Sequence, residues 1–293
     1  VIGLRTQADL GALTSLANFP LAMRLEQLPI NCMLYLYHAV VPIRLACYYP
    51  HPFVAPPLWQ VAAAAGLLVA ASAMAVAARS RPYLFTGWFW FLGTLLPVSG
   101  VLQVSTHTVA DRYSYCTLIG LNILVAWGAG DLISTLVKKP EARRRMAYAL
   151  AGINLTALAG IAYWQVSFYR DSDTLFQRDL EITGRNFRAH SILGTADYDA
   201  GNYTEAAKHF RAALAILPND YTYTYYLAMT LLKTGEWREA EKLLANVVNT
   251  KPDLAAPRVD WAVALWNLGQ KEEAMRQLDR AVILEPGNVN AQL

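Results

Sequence analysis

The sequence predicts an all-α protein in which a polytopic bundle of transmembrane helices precedes an α-solenoid built from helical repeats. Three observations lead to this prediction. The charges are concentrated in the second part of the chain, the first part holds long uncharged apolar runs, and the second part repeats with a fixed period. We therefore expect a transmembrane domain over residues 1–168 and a repeat domain over residues 169–293.

The composition separates the two parts. The 293 residues are 55% hydrophobic and 16% charged, whereas an ordinary soluble protein is about 25% charged. Residues 1–168 hold 11 Lys and Arg against 5 Asp and Glu, and residues 169–293 hold 14 against 17. This composition excludes a disordered chain, and a net charge of +3 is too small to predict a nucleic-acid partner.

Four uncharged runs of 18 to 23 residues predict membrane spans, because about 20 apolar residues cross the hydrocarbon core. The spans are expected near residues 59–78, 83–104, 113–133 and 146–168. Aromatic residues stand near the ends of several runs, as they do at membrane interfaces.

A further apolar segment, residues 29–47, permits two interpretations. It contains His38 and Arg44 and is interrupted by Pro42. Either the segment spans the membrane, or it lies in the interface or re-enters it.

The basic residues predict the orientation, because short cytoplasmic loops are rich in Lys and Arg. Arg79 and Arg81 follow one predicted span, and five basic residues lie within residues 138–145. Both loops should be cytoplasmic, which leaves everything after the last span on the other side. We expect an integral protein of the bacterial inner membrane with a periplasmic repeat domain.

The period of the second part is 34 residues. Glycines recur at 201, 235 and 269, prolines at 218, 252 and 286, and alanines at 206, 240 and 274. A 34-residue period with small residues at these offsets is typical of tetratricopeptide (TPR) repeats, each a pair of antiparallel helices. The predicted repeats are residues 187–220, 221–254 and 255–288, preceded by a half repeat over residues 171–184.

A TPR solenoid presents a concave groove lined by the first helix of each repeat. Inter-repeat packing is expected for about half of the groove positions, and an extended peptide or protein segment is the partner expected for the rest. A TPR carboxylate clamp needs Lys and Asn at specific groove positions, and this groove lacks that set. An asparagine ladder is also absent, because the sixth places of the repeats are Ile192, Tyr226 and Asp260. The predicted groove residues are Arg188, Tyr198, Asp199, Tyr225, Met229, Leu232, Lys233 and Trp266.

Catalytic and metal-binding motifs are absent from the sequence, and three cysteines without metal spacing read as small apolar residues. The remaining candidate is Asp111-Arg112-Tyr113 at the outer end of a predicted span. One interpretation is structural: Asp111 caps the helix, Arg112 snorkels and Tyr113 anchors the interface. The other is that Arg112 binds an anionic phosphate beside the helix N-terminus, with Arg44 and His51 converging on it from the other outward-facing stretch.

Three stretches together resemble a known family. Residues 35–52 are similar to a YLxK…P…FYPHP box, residues 91–100 with 110–115 to an FLGTLLPVxG…ADRYTY box, and residues 169–176 to a WRDSETLF junction. This set resembles the transmembrane-and-TPR proteins of the GT-C glycosyltransferase superfamily, whose eukaryotic members are protein O-mannosyltransferases. His38 stands where the family pattern has Lys.

The resemblance implies transfer of a sugar from a polyprenyl-phosphate donor in the membrane lipid to a protein outside the cytoplasm. It implies that Arg112 stabilises the charge of the donor phosphate, and the further candidates for this site are His38, Arg44, His51 and Asp111. It places the catalytic acidic motif in an external loop upstream of Val1, so the chain is expected to be an inactive fragment that lacks the catalytic part. No cofactor is expected in this chain, and a divalent metal is compatible with the full-length enzyme. The alternative hypothesis is a non-catalytic, membrane-anchored TPR scaffold for protein–protein interaction.

Overall fold

The computed structural model describes residues 20–51, 55–98, 109 and 111–286. The chain divides into two compact units, Val1–Arg170 and Asp171–Leu293. Throughout the described residues the regular elements are helices, as the sequence predicts for an all-α protein.

The first unit contains five α-helices among its described residues. They are α1 (Leu21–Val40), α2 (Leu58–Ala77), α3 (Pro82–Leu95), α4 (Ser114–Leu136) and α5 (Pro140–Val166). Pro82 and Pro140 occupy the first turns of α3 and α5, where the missing N–H costs no helical hydrogen bond. Short 3-10 segments cover Leu96–Val98, Asp111–Tyr113 and Ser167–Tyr169.

Three of the described helices are long and apolar enough to cross a membrane: Leu58–Ala77, Ser114–Leu136 and Pro140–Tyr169. Most of their apolar side chains are exposed rather than packed inside the unit. Leu67, Val125 and Ile153, for example, are each more than half exposed. Such surfaces are suited to an apolar solvent.

Two predicted segments differ from the helices that form. Within the predicted span over residues 83–104, α3 ends at Leu95 and covers about 21 Å. Pro97 lacks the N–H that would continue the helix, and residues 99–104 lie outside the described part. In the segment 29–47, α1 begins earlier, at Leu21, contains Pro29 and stops before Pro42.

Small residues set the contact between α3 and α4. A Cβ added to Gly87 would lie 2.6 Å from the carbonyl oxygen of Gly120, and Gly120 is similarly closed in by Gly87 and Phe91. The indole N–H of Trp90 donates to the carbonyl of Cys116 over 2.8 Å. The two backbones therefore approach as closely as glycines allow, an arrangement common between membrane helices.

The second unit is a run of helical pairs. A single helix, α6 (Ser172–Thr183), precedes the pairs α7 (Phe187–Asp199) with α8 (Tyr203–Ile216), α9 (Tyr221–Thr234) with α10 (Trp237–Thr250), and α11 (Ala255–Asn267) with α12 (Lys271–Leu284). Residues 287–288 of the last predicted repeat lie outside the described part.

Local signals place the helix ends in this unit. The side chains of Asp171, Asn186 and Asp220 accept hydrogen bonds from backbone N–H groups in the first turns of α6, α7 and α9. These caps satisfy donors that a helix leaves unpaired. Gly235, which ends α9, has φ of +81°, in the left-handed region that glycine adopts without steric cost.

The repeated small residues form the core of the second unit. Ala206, Ala240 and Ala274 are fully buried, as are Ala213 and Ala281. At these positions a larger side chain would separate the two helices of a pair. The alanine columns of the sequence are therefore packing positions.

Candidate functional sites: the TPR groove and a polar cluster in the first unit

The groove surface is formed by α7, α9 and α11, the first helices of the three pairs. Of the predicted groove residues, Arg188, Asp199, Lys233 and Trp266 are exposed, whereas Met229 is half-buried. Tyr198, Tyr225 and Leu232 are also half-buried and pack against the hydrophobic core of the unit. The predicted set thus contains both solvent-facing and packing side chains.

Apolar side chains remain open to solvent on these same helices. Trp266 is 50% exposed, Val263 42% and Tyr226 36%. The ring of Tyr226 stacks on Phe210 with centroids 5.4 Å apart, and the Lys271 ammonium lies 5.2 Å from the centre of the Trp266 ring. The exposed aromatic surface is therefore held by neighbouring side chains.

A carboxylate lies among the tyrosines of the groove. The Tyr225 hydroxyl on α9 donates to Asp260 Oδ2 on α11 over 2.6 Å. Burial raises the pKa of the Asp260 carboxyl, an effect that the Tyr225 hydrogen bond and the charge of Lys233 oppose. Burial, followed by the hydrogen bond to Asp260, raises the pKa of Tyr225.

Tyr198 adds the first repeat to this cluster. Burial raises the pKa of Tyr198, and Tyr203 and then Asp260 contribute further to the rise. Side chains of three consecutive repeats, Tyr198, Tyr225 and Asp260, thus influence one another electrostatically. Sequence reasoning placed Asp260 at the sixth position of its repeat but did not include it in the site, although a carboxylate at a groove position was a usable signal.

Two histidines meet between α7 and α8. The Nδ1 atoms of His190 and His209 lie 3.0 Å apart, and His209 Nε2 is 3.8 Å from Asp197 Oδ2. Burial, and secondarily the neighbouring His209, lower the pKa of His190. Within the described residues there is no group of three or more His, Cys, Asp or Glu placed to hold a metal ion.

In the first unit, two of the predicted phosphate-site residues come together. His38 Nδ1 lies 2.9 Å from Asp111 Oδ1, and the Tyr49 hydroxyl donates to Asp111 Oδ2 over 2.9 Å. Asp111 does not cap α4 as the structural interpretation expected, because its carboxylate is engaged by these two side chains instead. Tyr49 was not among the predicted site residues, and its hydroxyl also accepts a hydrogen bond from the backbone N–H of Ala46.

His38, Tyr49 and Asp111 form a polar cluster, and the other predicted site residues differ in their exposure. Arg44 is exposed, and it makes no ion pair with any residue in the described ranges. His51 is buried. The side chain of Arg112, the first candidate for binding phosphate, lies outside the described part of the structure.

A buried polar stripe on α1 leads to the same cluster. Arg24, Gln27, Asn31 and His38 are buried at spacings that place them on one face of the helix. The Gln27 side-chain amide donates to Asn31 Oδ1 over 3.3 Å. These polar side chains explain why α1 is not among the three described helices that are long and apolar enough to cross a membrane.

Comparisons with known proteins identify the repeats. Two models described as tetratricopeptide repeat match residues 158–221 and 197–260. The chain therefore contains TPR repeats, as the 34-residue period predicts. No curated protein matches the chain.

Several solved structures resemble part of the chain. One is MamA, from residue 41 to its end, from Desulfovibrio magneticus RS-1, which is 22% identical with a TM-score of 0.40 over 41% of this chain and 67% of that chain. Another is the first TPR of Spaghetti (RPAP3) bound to an HSP90 peptide, at 20% identity and a TM-score of 0.35 over 36% and 84% of the two chains. The second TPR domain of human RPAP3 in complex with an HSP70 peptide is 22% identical, with a TM-score of 0.34 over 36% and 92%.

Proposed function

We propose that this chain is a membrane-anchored TPR module that binds extended protein segments in the groove of α7, α9 and α11. TPR repeats are protein-interaction modules, which supports the general function. The anchoring rests on the three helices that are long and apolar enough to cross a membrane. We place the chain in a bacterial inner membrane with the repeats on the periplasmic side, on the argument from Arg79, Arg81 and the basic residues within 138–145.

The observation that carries the proposal is the exposed aromatic surface of the groove. Trp266 and Tyr226 project from the first helices of different repeats while their backbones are fixed by the buried alanine columns. Aromatic side chains that stay exposed on a rigid surface are typical centres of binding energy at protein interfaces. An extended peptide lying across α9 and α11 would bury both rings.

Peptide binding by the full chain in detergent tests this function. An array of extended 15-residue peptides would be probed with the wild-type chain and with Trp266→Ala, and with Met275→Ala as the matched control. Met275 is a similarly exposed apolar residue, 51%, but lies on a second helix. We expect Trp266→Ala to weaken binding about tenfold, or about 1.4 kcal/mol, because it removes an aromatic anchor.

The control variant should bind like the wild type. Equal losses in Trp266→Ala and Met275→Ala would contradict a binding site on the groove helices. Peptides that bind the wild type and both variants equally would place binding elsewhere on the chain.

A second candidate function is the glycosyl transfer implied by the family resemblance, from a polyprenyl-phosphate sugar to a protein acceptor. The observation that favours it is the polar cluster, in which His38 and Asp111 from two of the resembling stretches meet with Tyr49. Buried ionisable groups beside apolar helices are costly, and they commonly mark functional sites. Arg112, Arg44 and His51 are the further candidates for holding the donor phosphate.

Transfer of a sugar by the full-length protein tests this second candidate. Loss of a charge-assisted hydrogen bond to phosphate costs about 1.5–3 kcal/mol, so Arg112→Ala should slow transfer roughly 10- to 150-fold. Arg112→Lys should recover only part of the rate, because an ammonium cannot form the bidentate fork. Full activity in Arg112→Ala would remove Arg112 from the site, and no transfer by the wild type would leave the binding module as the function.

A further inference from the structure

We propose that the groove selects segments with a cationic side chain, preferably arginine, that forms an ion pair with Asp260 of the third repeat beside the tyrosines of the first two repeats. This inference rests on the proposed function, because it specifies the chemistry of the segment that the groove binds.

Only one oxygen of the Asp260 carboxylate accepts a hydrogen bond from a residue that the structure describes. Its Oδ2 atom accepts the Tyr225 hydroxyl over 2.6 Å, and its Oδ1 atom accepts no hydrogen bond from any residue that the structure describes. The Tyr225 hydroxyl donates a hydrogen bond and brings no charge, so the carboxylate has one satisfied oxygen and one open acceptor. A carboxylate that is mostly removed from water gains most from a charged donor.

Lys233 is a cation that the protein itself provides near Asp260. Lys233 lies close enough to influence Asp260 electrostatically, but it forms no ion pair with it within 4.0 Å and its side chain is exposed. Solvent therefore screens the charge of Lys233, which forms no direct ion pair with the carboxylate. The Asp260 carboxylate therefore has no direct charged partner among the residues that the structure describes.

Tyrosine side chains lie near the Asp260 carboxylate. Tyr198 and Tyr225 lie near the carboxylate, and the ring of Tyr226 is 6.5 Å from that of Tyr225. A guanidinium stacks on aromatic faces and presents a planar pair of N–H groups to a carboxylate, whereas an ammonium offers only a point charge. This arrangement favours arginine over lysine, and either over a neutral side chain.

The raised pKa of Asp260 agrees with this interpretation. Burial makes the ionised form less favourable in the free protein, and the Tyr225 hydrogen bond compensates only in part. An isosteric neutral residue should therefore be tolerated by the fold. Because the fold does not need the negative charge of Asp260, that charge is available to bind a ligand.

The test uses the full chain in detergent and a set of nonapeptides with identical apolar flanks and Arg, Lys, Gln or Glu at the centre. Binding to the wild-type chain is measured by fluorescence anisotropy. We expect the Arg peptide to bind most tightly, the Lys peptide next, and the Gln peptide roughly 10- to 100-fold more weakly than the Arg peptide. The Glu peptide should be the weakest.

Asp260→Asn keeps the shape of the side chain and an acceptor for Tyr225, and it should remove most of the preference for Arg over Gln. Asp279→Asn is the matched control, since Asp279 is an exposed carboxylate on α12, a second helix. A melting curve for each variant establishes that the fold is retained. Tyr225→Phe, which removes only the hydroxyl, provides a second variant and should reduce the preference less.

The outcomes separate the two proposals. Equal binding of the Arg and Gln peptides, or an undiminished preference in folded Asp260→Asn, overturns the cationic selection and leaves the groove as a binding surface. Failure of every peptide to bind overturns the groove function and this inference with it. A loss of preference in Asp279→Asn equal to that in Asp260→Asn also overturns the assignment to Asp260.

Discussion

At the residue scale, the contacts that distinguish this solenoid are polar pairs set into a repetitive apolar framework. His190 and His209 occupy the fourth and twenty-third places of the first repeat. The same places of the third repeat are filled by Arg258 and Gln277, whose side chains are joined by a hydrogen bond of 3.0 Å. One geometric position between paired helices thus holds different polar chemistry in different repeats.

The histidine pair makes the first repeat sensitive to acid. Because the pKa of folded His190 lies below its ordinary value of 6.5, the unfolded chain binds more protons than the folded one just below that pH. Acidification through this interval should therefore destabilise α7 and α8. Hydrogen exchange of their backbone amides in the full chain, corrected for intrinsic rates, should show faster opening at pH 5.5 than at pH 7.5.

His190→Gln should reduce this pH dependence, since glutamine does not titrate. Lys208→Gln, at an exposed position on α8, changes the charge without removing a histidine and serves as the control. An unchanged pH dependence in His190→Gln would show that the pair does not cause the effect.

At the scale of elements, most helices of the second unit were predictable from the sequence. The alanine columns mark buried positions, and a glycine with positive φ ends α9 where the period places Gly235. These features can be recognised in the sequence because the same packing requirement recurs every 34 residues. The end of α3 at Leu95 was not predicted, because the prediction rested on the absence of charged residues, and Pro97 is uncharged. A hydropathy criterion does not include the missing N–H of proline, which ends a helix.

The candidate sites were less predictable than the helices. The bond between Tyr225 and Asp260 joins residues 35 apart, and the contact of His38 with Asp111 joins residues 73 apart. Neither pair belongs to a repeated column, so the period contains no information about them. Sequence reasoning selected His38, Asp111 and Tyr225 by residue type, and only the fold supplied their partners Tyr49 and Asp260.

Contact between α3 and α4 yields a prediction for the first unit. Gly120→Val should push the two helices apart and destabilise this unit by about 1–3 kcal/mol, because the added atoms meet the backbone of α3. Gly128→Val is the control on the same helix, since a Cβ at Gly128 has no neighbour within 4 Å. Thermal melting of the full chain in detergent measures both, and equal melting temperatures for the two variants would contradict the close packing.

The whole molecule presents surfaces suited to two different physical environments. The first unit exposes apolar helices that are suited to lipid, and the second unit carries a TPR groove with exposed aromatic rings. The central claim is that one chain inserts in a membrane and binds a peptide from there.

Co-flotation with lipid vesicles tests this claim in one measurement. The full chain is reconstituted into liposomes, washed at alkaline pH, mixed with the fluorescent Arg-centred nonapeptide and floated through a density gradient. We expect the chain to float after the wash and to carry the peptide with it, whereas Trp266→Ala should float equally well and carry about tenfold less at subsaturating peptide. A chain that the wash removes from the vesicles, or peptide that floats equally with wild type and Trp266→Ala, would contradict the account.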